Sequence, residues 1–484
     1  MIRTAAERDP DGVSLVAGVA DATARRRWTH AELLGCAERT AWRLLDHLEP
    51  GDRLAIWAAN EPEWVITMLG AAFAGVVVVP MNPAFRRNEV ADILQRSGCR
   101  GLVRSDEHRG ADLGAIVADL GFDLRFEWRT AEIFDLIDGA PPRQLPPVAP
   151  EDLAMVQFTS GTTGLPKGAR LHHLGVTNDA RLMLERLEVG DGDVFVNPNP
   201  MFHLGGCGLA TLGSPQVGAT HVLVHHFDPA LFLELLETEA ATVTGGVPTM
   251  LIALMEHPDF VDRDLSRLRT ISSGGSVVPA DLVRRIEREL GVRYSTMFGQ
   301  TEAAPGITQT RPDDAPEDKA ETVGVPLEHV EVKIVDPESG DVVVAGATGE
   351  LLARSPMFMD GYDGMPEATA ATIDGDGWLH TGDLCTMDER GFVRVVGRLK
   401  EMVTRGGENI YPREIEDVLF EHSSVSEVAV VGVPDDHYGE QLIAFLRPPP
   451  GGDMRPGRAP RVPDRAESPG TRCQPTGWSW IRSR

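Results

Sequence analysis

The 484-residue chain holds 46 basic and 73 acidic residues, a formal charge of −27, and 42% hydrophobic residues. Such a length calls for two or more cores, and the acidic balance argues against a nonspecific nucleic-acid or anionic-membrane surface, so an anionic ligand needs a local basic site. Five scattered cysteines without zinc or Cys-x-x-Cys spacing, acidic residues Glu7 and Asp9 near the start, and an apolar run from Leu69 to Met81 too short for a bilayer read as a soluble cytoplasmic protein with reduced thiols and no integral membrane segment.

Along the chain, helix and strand signals alternate. Asn60 reads as the cap of a helix with Pro62 and Glu63 in its first turn, broken by Gly75 ahead of a buried strand at Val76 to Val79. The pattern recurs as a helix from Arg87 to Gly98 before a strand from Arg100 to Arg104, and as a helix opened by Asp228 before a strand from Ala241 to Thr244. This is an α/β texture with a substantially parallel sheet. Pro279 to Leu290 reads as an amphipathic helix stopped by Gly291, and Val292 to Met297 as the next strand, which puts Gly299 to Glu302 on a loop at a strand's C-terminal end, where ligands gather. From Val323 short strands and turns take over, with Val330 to Val335 and Val342 to Val344 predicted as strands around the turn Asp336 to Gly340.

Thr159-Ser160-Gly161-Thr162-Thr163-Gly164 leads through Pro166 to Lys167. Glycines let backbone N–H groups approach an anion, the hydroxyls add donors, and the lysine adds a point charge, so the run reads as a phosphate loop. A Walker P-loop is disfavoured, because Gly168 rather than Ser or Thr follows Lys167.

This loop, followed in order by Met297 to Glu302, His380 to Leu384, Gly397 to Glu401 and Gly406 to Pro412, resembles the adenylate-forming (AMP-binding) superfamily, in its fatty-acyl-CoA synthetase type, from about Pro10 to Arg447. The resemblance implies an α/β fold: a large N-terminal domain (1–397) of α/β subdomains plus a β-rich subdomain, then an incomplete small α+β C-terminal domain after a hinge at Lys400 (398–447), and a non-homologous tail (448–484). It implies that Thr159 to Gly164 and Lys167 grip the ATP phosphates. Thr301 would contact phosphate and Glu302 would hold Mg²⁺, a hard cation suited to carboxylate and phosphate oxygens. Phe298, with Gly299 and Gln300, would pack on adenine. Asp383 would accept the ribose hydroxyls beside Arg398, and Gly406, Gly407 and Glu408 would line the CoA channel. Phe202-His203 stands where acyl- and aryl-CoA synthetases carry an aromatic-histidine pair and amino-acid-activating relatives carry an aspartate, which favours a plain carboxylic acid. Val247, Gly274 and Gly275 would line the acyl pocket, small residues leaving room for a chain.

The implied reaction joins a small carboxylic acid to CoA at the expense of ATP, with Mg²⁺ as cofactor; a homodimer is compatible with the sequence. A carrier-protein-loading ligase and a noncatalytic nucleotide- or acyl-binding protein share most of these features. The chain departs from the family at its end. No lysine follows Lys400, where relatives use one to bridge carboxylate and α-phosphate, and residues 448–484 hold eight prolines and seven arginines without period. The tail reads as irregular, and the abrupt change after Arg447 as a truncated or frameshifted end that leaves Val428, Val430 and Ile443 without apolar partners.

Overall fold

The structure, a computed structural model, describes residues 1–159, 166–276, 278–405, 408–420, 425, 427–435, 439–447 and 480–482. The chain forms two compact units: Met1–Ala320 with Gly324–Glu331 and Arg354–Gly377, and Glu321–Val323 with Val332–Ala353 and Trp378–Arg484.

The first unit holds two large sheets. In one, the strands Arg293–Gly299, Thr270–Gly274, Val243–Gly245, Val194–Asn197, Thr220–Val224 and Val13–Gly18 run side by side and parallel, so their C-terminal ends open on one edge. Antiparallel strands Gly306–Gln309 and Arg27–Thr29 flank them. The second sheet runs Lys167–His172, Leu153–Thr159, Val77–Pro80, Arg53–Trp57, Gly101–Arg104, Phe126–Arg129, with only the first strand antiparallel to its neighbour. The parallel strands are rich in Val, Ile and Leu because helices such as Pro229–Thr238 and Ala280–Leu290 pack on them; Val222, Phe232, Ile271 and Ile286 are buried together in one cluster. The helix signals hold well. Asp228 accepts from Leu231 N, and Gly75, Gly98 and Gly291 end their helices in the left-handed conformation.

Three local expectations fail. Asn60 does not cap the helix Pro62–Ala74: Glu61 occupies that position, and the Asn60 oxygen is taken by Met201 N at 2.8 Å. Val342 to Val344 forms no full strand: it makes one bridge, Val342 to Val335, and one bond from Val343 N to Ile334 O at 3.0 Å, and Val342 and Val344 are exposed. Gly299 belongs to the strand rather than to the following loop, since it pairs with Gly306.

The second unit contains an antiparallel sheet ordered Glu331–Val335, Gly349–Arg354, Leu379–Met387, Val393–Arg398. A second sheet orders Glu408–Ile410, Val403–Arg405, Gly439–Arg447 and Glu427–Asp435, and the helix Pro412–Phe420 packs on the last of these. Val430 is buried with Val403, Leu419, Leu442 and Ala444, and Val428 packs against them, so these valines do find partners. The tail is not wholly irregular: Trp480–Arg482 pairs as a parallel strand with Ala444 to Leu446 of the strand Gly439–Arg447. Among the described residues no helix is long and apolar enough to cross a membrane.

Candidate active site

In the nine-stranded sheet of the first unit, the C-terminal strand ends carry the Met297–Glu302 motif and the segments at Val247, Gly274 and Gly275. Gly274 pairs with Met297, and Gly245 with Ser272, so the chain leaves after Gly245, Gly274 and Gly299 from adjacent strands on one side. Burial falls along the strand Arg293–Gly299, from buried Tyr294 to half-buried Phe298, Gly299 and Gln300, as expected where a strand runs out into a cleft. The glycines have two different reasons. A Cβ on Gly299 would lie 1.9 Å from Pro305 O and one on Gly274 2.4 Å from Met297 O, so both are small because backbone crosses there, whereas nothing lies within 4 Å of a Cβ on Gly275. The expectation that Gly274 leaves room for a chain is therefore replaced by a packing reason, while Gly275 remains open.

Phe202 and His203 follow the strand Val194–Asn197. Gln157 Nε2 donates to Phe202 O at 2.9 Å, and Asn60, itself buried, donates to Asn199 O and Val224 O at 3.0 Å while accepting from Met201 N. Gly205 N donates to His203 Nδ1 at 3.2 Å, which assigns the ring proton to Nε2. The ring is solvent-accessible, yet desolvation by the surrounding protein lowers its pKa and favours the neutral form. It thus offers one N–H donor and no charge.

Lys167 opens the strand Lys167–His172, paired opposite Thr159, and this strand packs against the turn Thr301–Ala303 that carries Glu302. Between them stands Tyr362. Its hydroxyl donates to Glu302 Oε1 at 2.6 Å, and the Lys167 ammonium lies 4.5 Å from its ring centroid. Burial, reinforced by the Glu302 charge, pushes the phenol pKa up, so the hydroxyl stays protonated. Ser160, Gly161, Thr162, Thr163 and Gly164 lie outside the described residues, as do Gly406 and Gly407. Among the described residues no cluster of three His, Cys, Asp or Glu could cage a metal ion. Glu302 has the donor chemistry for a hard cation such as Mg²⁺, with Oε2 free of hydrogen bonds among the described residues.

In the second unit Asp383 pairs across the sheet with Arg398, whose Nε lies 3.3 Å from Asp383 Oδ1. Asp383 is only 7% exposed, and burial pushes its pKa up to about 6 although Arg398 opposes the shift. Glu350 braces the turn before it, accepting from Gly382 N at 3.1 Å and lying 3.0 Å from His380 Nδ1. Lys400 sits exposed in the short helical turn Leu399–Glu401, and Glu408 lies in the strand Glu408–Ile410.

Sequence reasoning missed Tyr362, Asn60 and Gln157. Each acts on partners distant in the chain, and no local period marks such a residue; an amide inside an apolar strand, as at Gln157, was the one available signal. The four described cysteines are buried and unpaired, and burial pushes the Cys99 and Cys207 thiols up to about 12, which makes them packing residues rather than nucleophiles. A largely apolar cavity of about 660 Å³ lies apart from the motifs, lined by Met68, Phe73, Val148, Met155, Leu174 and Leu212.

The model of the AMP-binding enzyme family matches residues 2–363, and that of the AMP-binding enzyme C-terminal domain matches 414–465, past the Arg447 limit expected for the likeness. The Bacillus subtilis protein YngI, which bears a provisional acyl-CoA synthetase name, is 38% identical over 463 residues, covering 89% of this chain and 84% of its own. The human mitochondrial medium-chain acyl-CoA ligase ACSF2 is 34% identical over 484 residues, covering 92% and 78%. The ATP-bound crystal structure of MatB from Rhodopseudomonas palustris superposes with a TM-score of 0.85 at 28% identity, over 94% of this chain and 90% of that one. By its match over most of its length, the chain belongs to the AMP-binding enzyme family.

Proposed function

We propose that the protein activates a carboxylic acid of the fatty-acyl class with ATP and passes the acyl group to CoA, releasing pyrophosphate and AMP. A carboxylate oxygen attacks the α-phosphorus, pyrophosphate leaves, and the CoA thiolate then attacks the acyl carbonyl of the adenylate and expels AMP. Two anions must meet in the first step, so the site has to screen their repulsion. Lys167 supplies a fixed positive charge to the phosphates. Glu302 would hold Mg²⁺, which when bound neutralises phosphate oxygens. Asp383 accepts from the ribose hydroxyls, and Phe298 packs on the base.

The observation that carries the acyl reading is the uncharged Phe202–His203 corner on the strand edge: a neutral imidazole N–H can donate to a carboxylate oxygen, but nothing in that pair neutralises a substrate ammonium. The medium-chain name of the human relative supports the fatty-acid class. A binding-only protein would share the nucleotide contacts without the chemistry. Pyrophosphate release across a panel of fatty, aryl and amino acids, with and without CoA, separates them. Turnover of straight-chain acids that requires CoA for thioester and falls at least about 10²-fold in Glu302→Gln supports the ligase; ATP binding without pyrophosphate leaves only a binding protein.

A further inference from the structure

We propose that Tyr362 is a positioning residue for nucleotide binding, holding the Glu302 carboxylate in orientation while keeping the Lys167 ammonium from pairing with it. The proposal deepens the reading above and rests on its assignment of Lys167 to phosphate and Glu302 to metal. Two opposite charges on packed neighbouring elements attract. Among the described residues neither makes an ion pair, and one phenol side chain serves both: its face takes the ammonium and its hydroxyl takes Oε1 of the carboxylate. The ammonium is therefore compensated without being neutralised, and Oε2 is left for a cation.

The backbone around Tyr362 is built to keep it there. On one side Arg170 N donates to Gly361 O at 2.9 Å, Asp360 N to Arg170 O at 3.0 Å and Asp363 N to Gly168 O at 2.8 Å, tying the segment Met359 to Asp363 to the strand that starts at Lys167. On the other side Met359 N donates to Glu302 O at 2.9 Å. Tyr362 N donates to Thr369 Oγ1 at 2.8 Å, and Asp363 accepts both guanidinium branches of Arg53 at 2.6 and 2.7 Å, which anchors the segment to the second sheet. One five-residue strap is thus bonded to both charged elements of the phosphate site, and its only large side chain aimed between them is Tyr362, 7% exposed.

The test is calorimetric ATP binding by the full chain across a Mg²⁺ series and in EDTA, with thermal unfolding in parallel. Tyr362→Phe keeps the ring and loses the hydroxyl. It should raise the Mg²⁺ concentration for half-maximal ATP binding about tenfold, the size expected for one hydrogen bond to a charged group, with metal-free binding and unfolding temperature unchanged. Tyr362→Leu should additionally weaken metal-free ATP binding about tenfold as Lys167 turns to Glu302. A Tyr362→Phe protein with the wild-type Mg²⁺ dependence overturns the proposal, as does one weakened equally with and without Mg²⁺; should the Leu variant not fold, the Phe variant decides alone. The underlying reading has its own control. If wild-type binding needs Mg²⁺ and Glu302→Gln removes that need, the site assignment stands and only Tyr362 is in question, whereas wild-type protein indifferent to Mg²⁺ overturns both.

Discussion

Asp383 is a buried carboxyl on which burial and the Glu401 charge act against the Arg398 and Arg413 guanidinium groups. Burial raises its pKa to about 6 from an ordinary 3.8, so it is ionised at pH 7 and largely protonated at pH 5. In the proposed ribose role the ionised form accepts on both oxygens, each bond strengthened by the charge, whereas protonation turns one oxygen into a donor. The sign follows: ATP affinity should fall as pH drops through 6, by up to about tenfold between pH 7 and pH 5. Asp383→Asn should bind more weakly at pH 7 and show a flat profile. Calorimetry of ATP binding at the two pH values checks this, and a wild-type affinity indifferent to pH would remove Asp383 from the ribose site.

At the scale of elements, the site depends on how loops are tied to strand ends, and this is where the sequence was least legible. Helix caps and strand periods are local, so Asp228, Gly98 and Gly291 could be read directly from their neighbours in the chain. Asn60 has the same chemistry as a cap, yet its amide spends its three hydrogen bonds on the backbone of Asn199, Met201 and Val224, all more than a hundred residues away. Nothing local distinguishes the two uses of an asparagine. The glycine-rich motifs carried only part of the reason for their glycines, as Gly299 and Gly274 are fixed by crossing backbone. Because Asn60 holds Met201 beside Phe202 and His203, Asn60→Ala should cost about 2–4 kcal/mol by leaving buried backbone groups unpaired. It should also raise KM for the acid more than KM for ATP. Urea unfolding and steady-state kinetics measure the two effects; an equal rise in both KM values would mean that the loop is merely unfolded.

For the whole molecule, the α/β class, the β-rich stretch and the ordered motifs were readable because hydrophobic periods and phosphate-binding chemistry are both written locally. The partnerships of Val428 and Val430 were not, since they come from strands and a helix that pack only after the chain has turned back. The strap at Met359 to Asp363 carries a practical corollary. Its residues belong to the first unit, but the ribosome makes them only after the excursion at Val332–Ala353. An amino-terminal fragment cut at Glu331 would contain Lys167 and Glu302 yet lack the phenol that stands between them, so a dissected version of this enzyme must extend to Gly377 before its phosphate-binding half is complete.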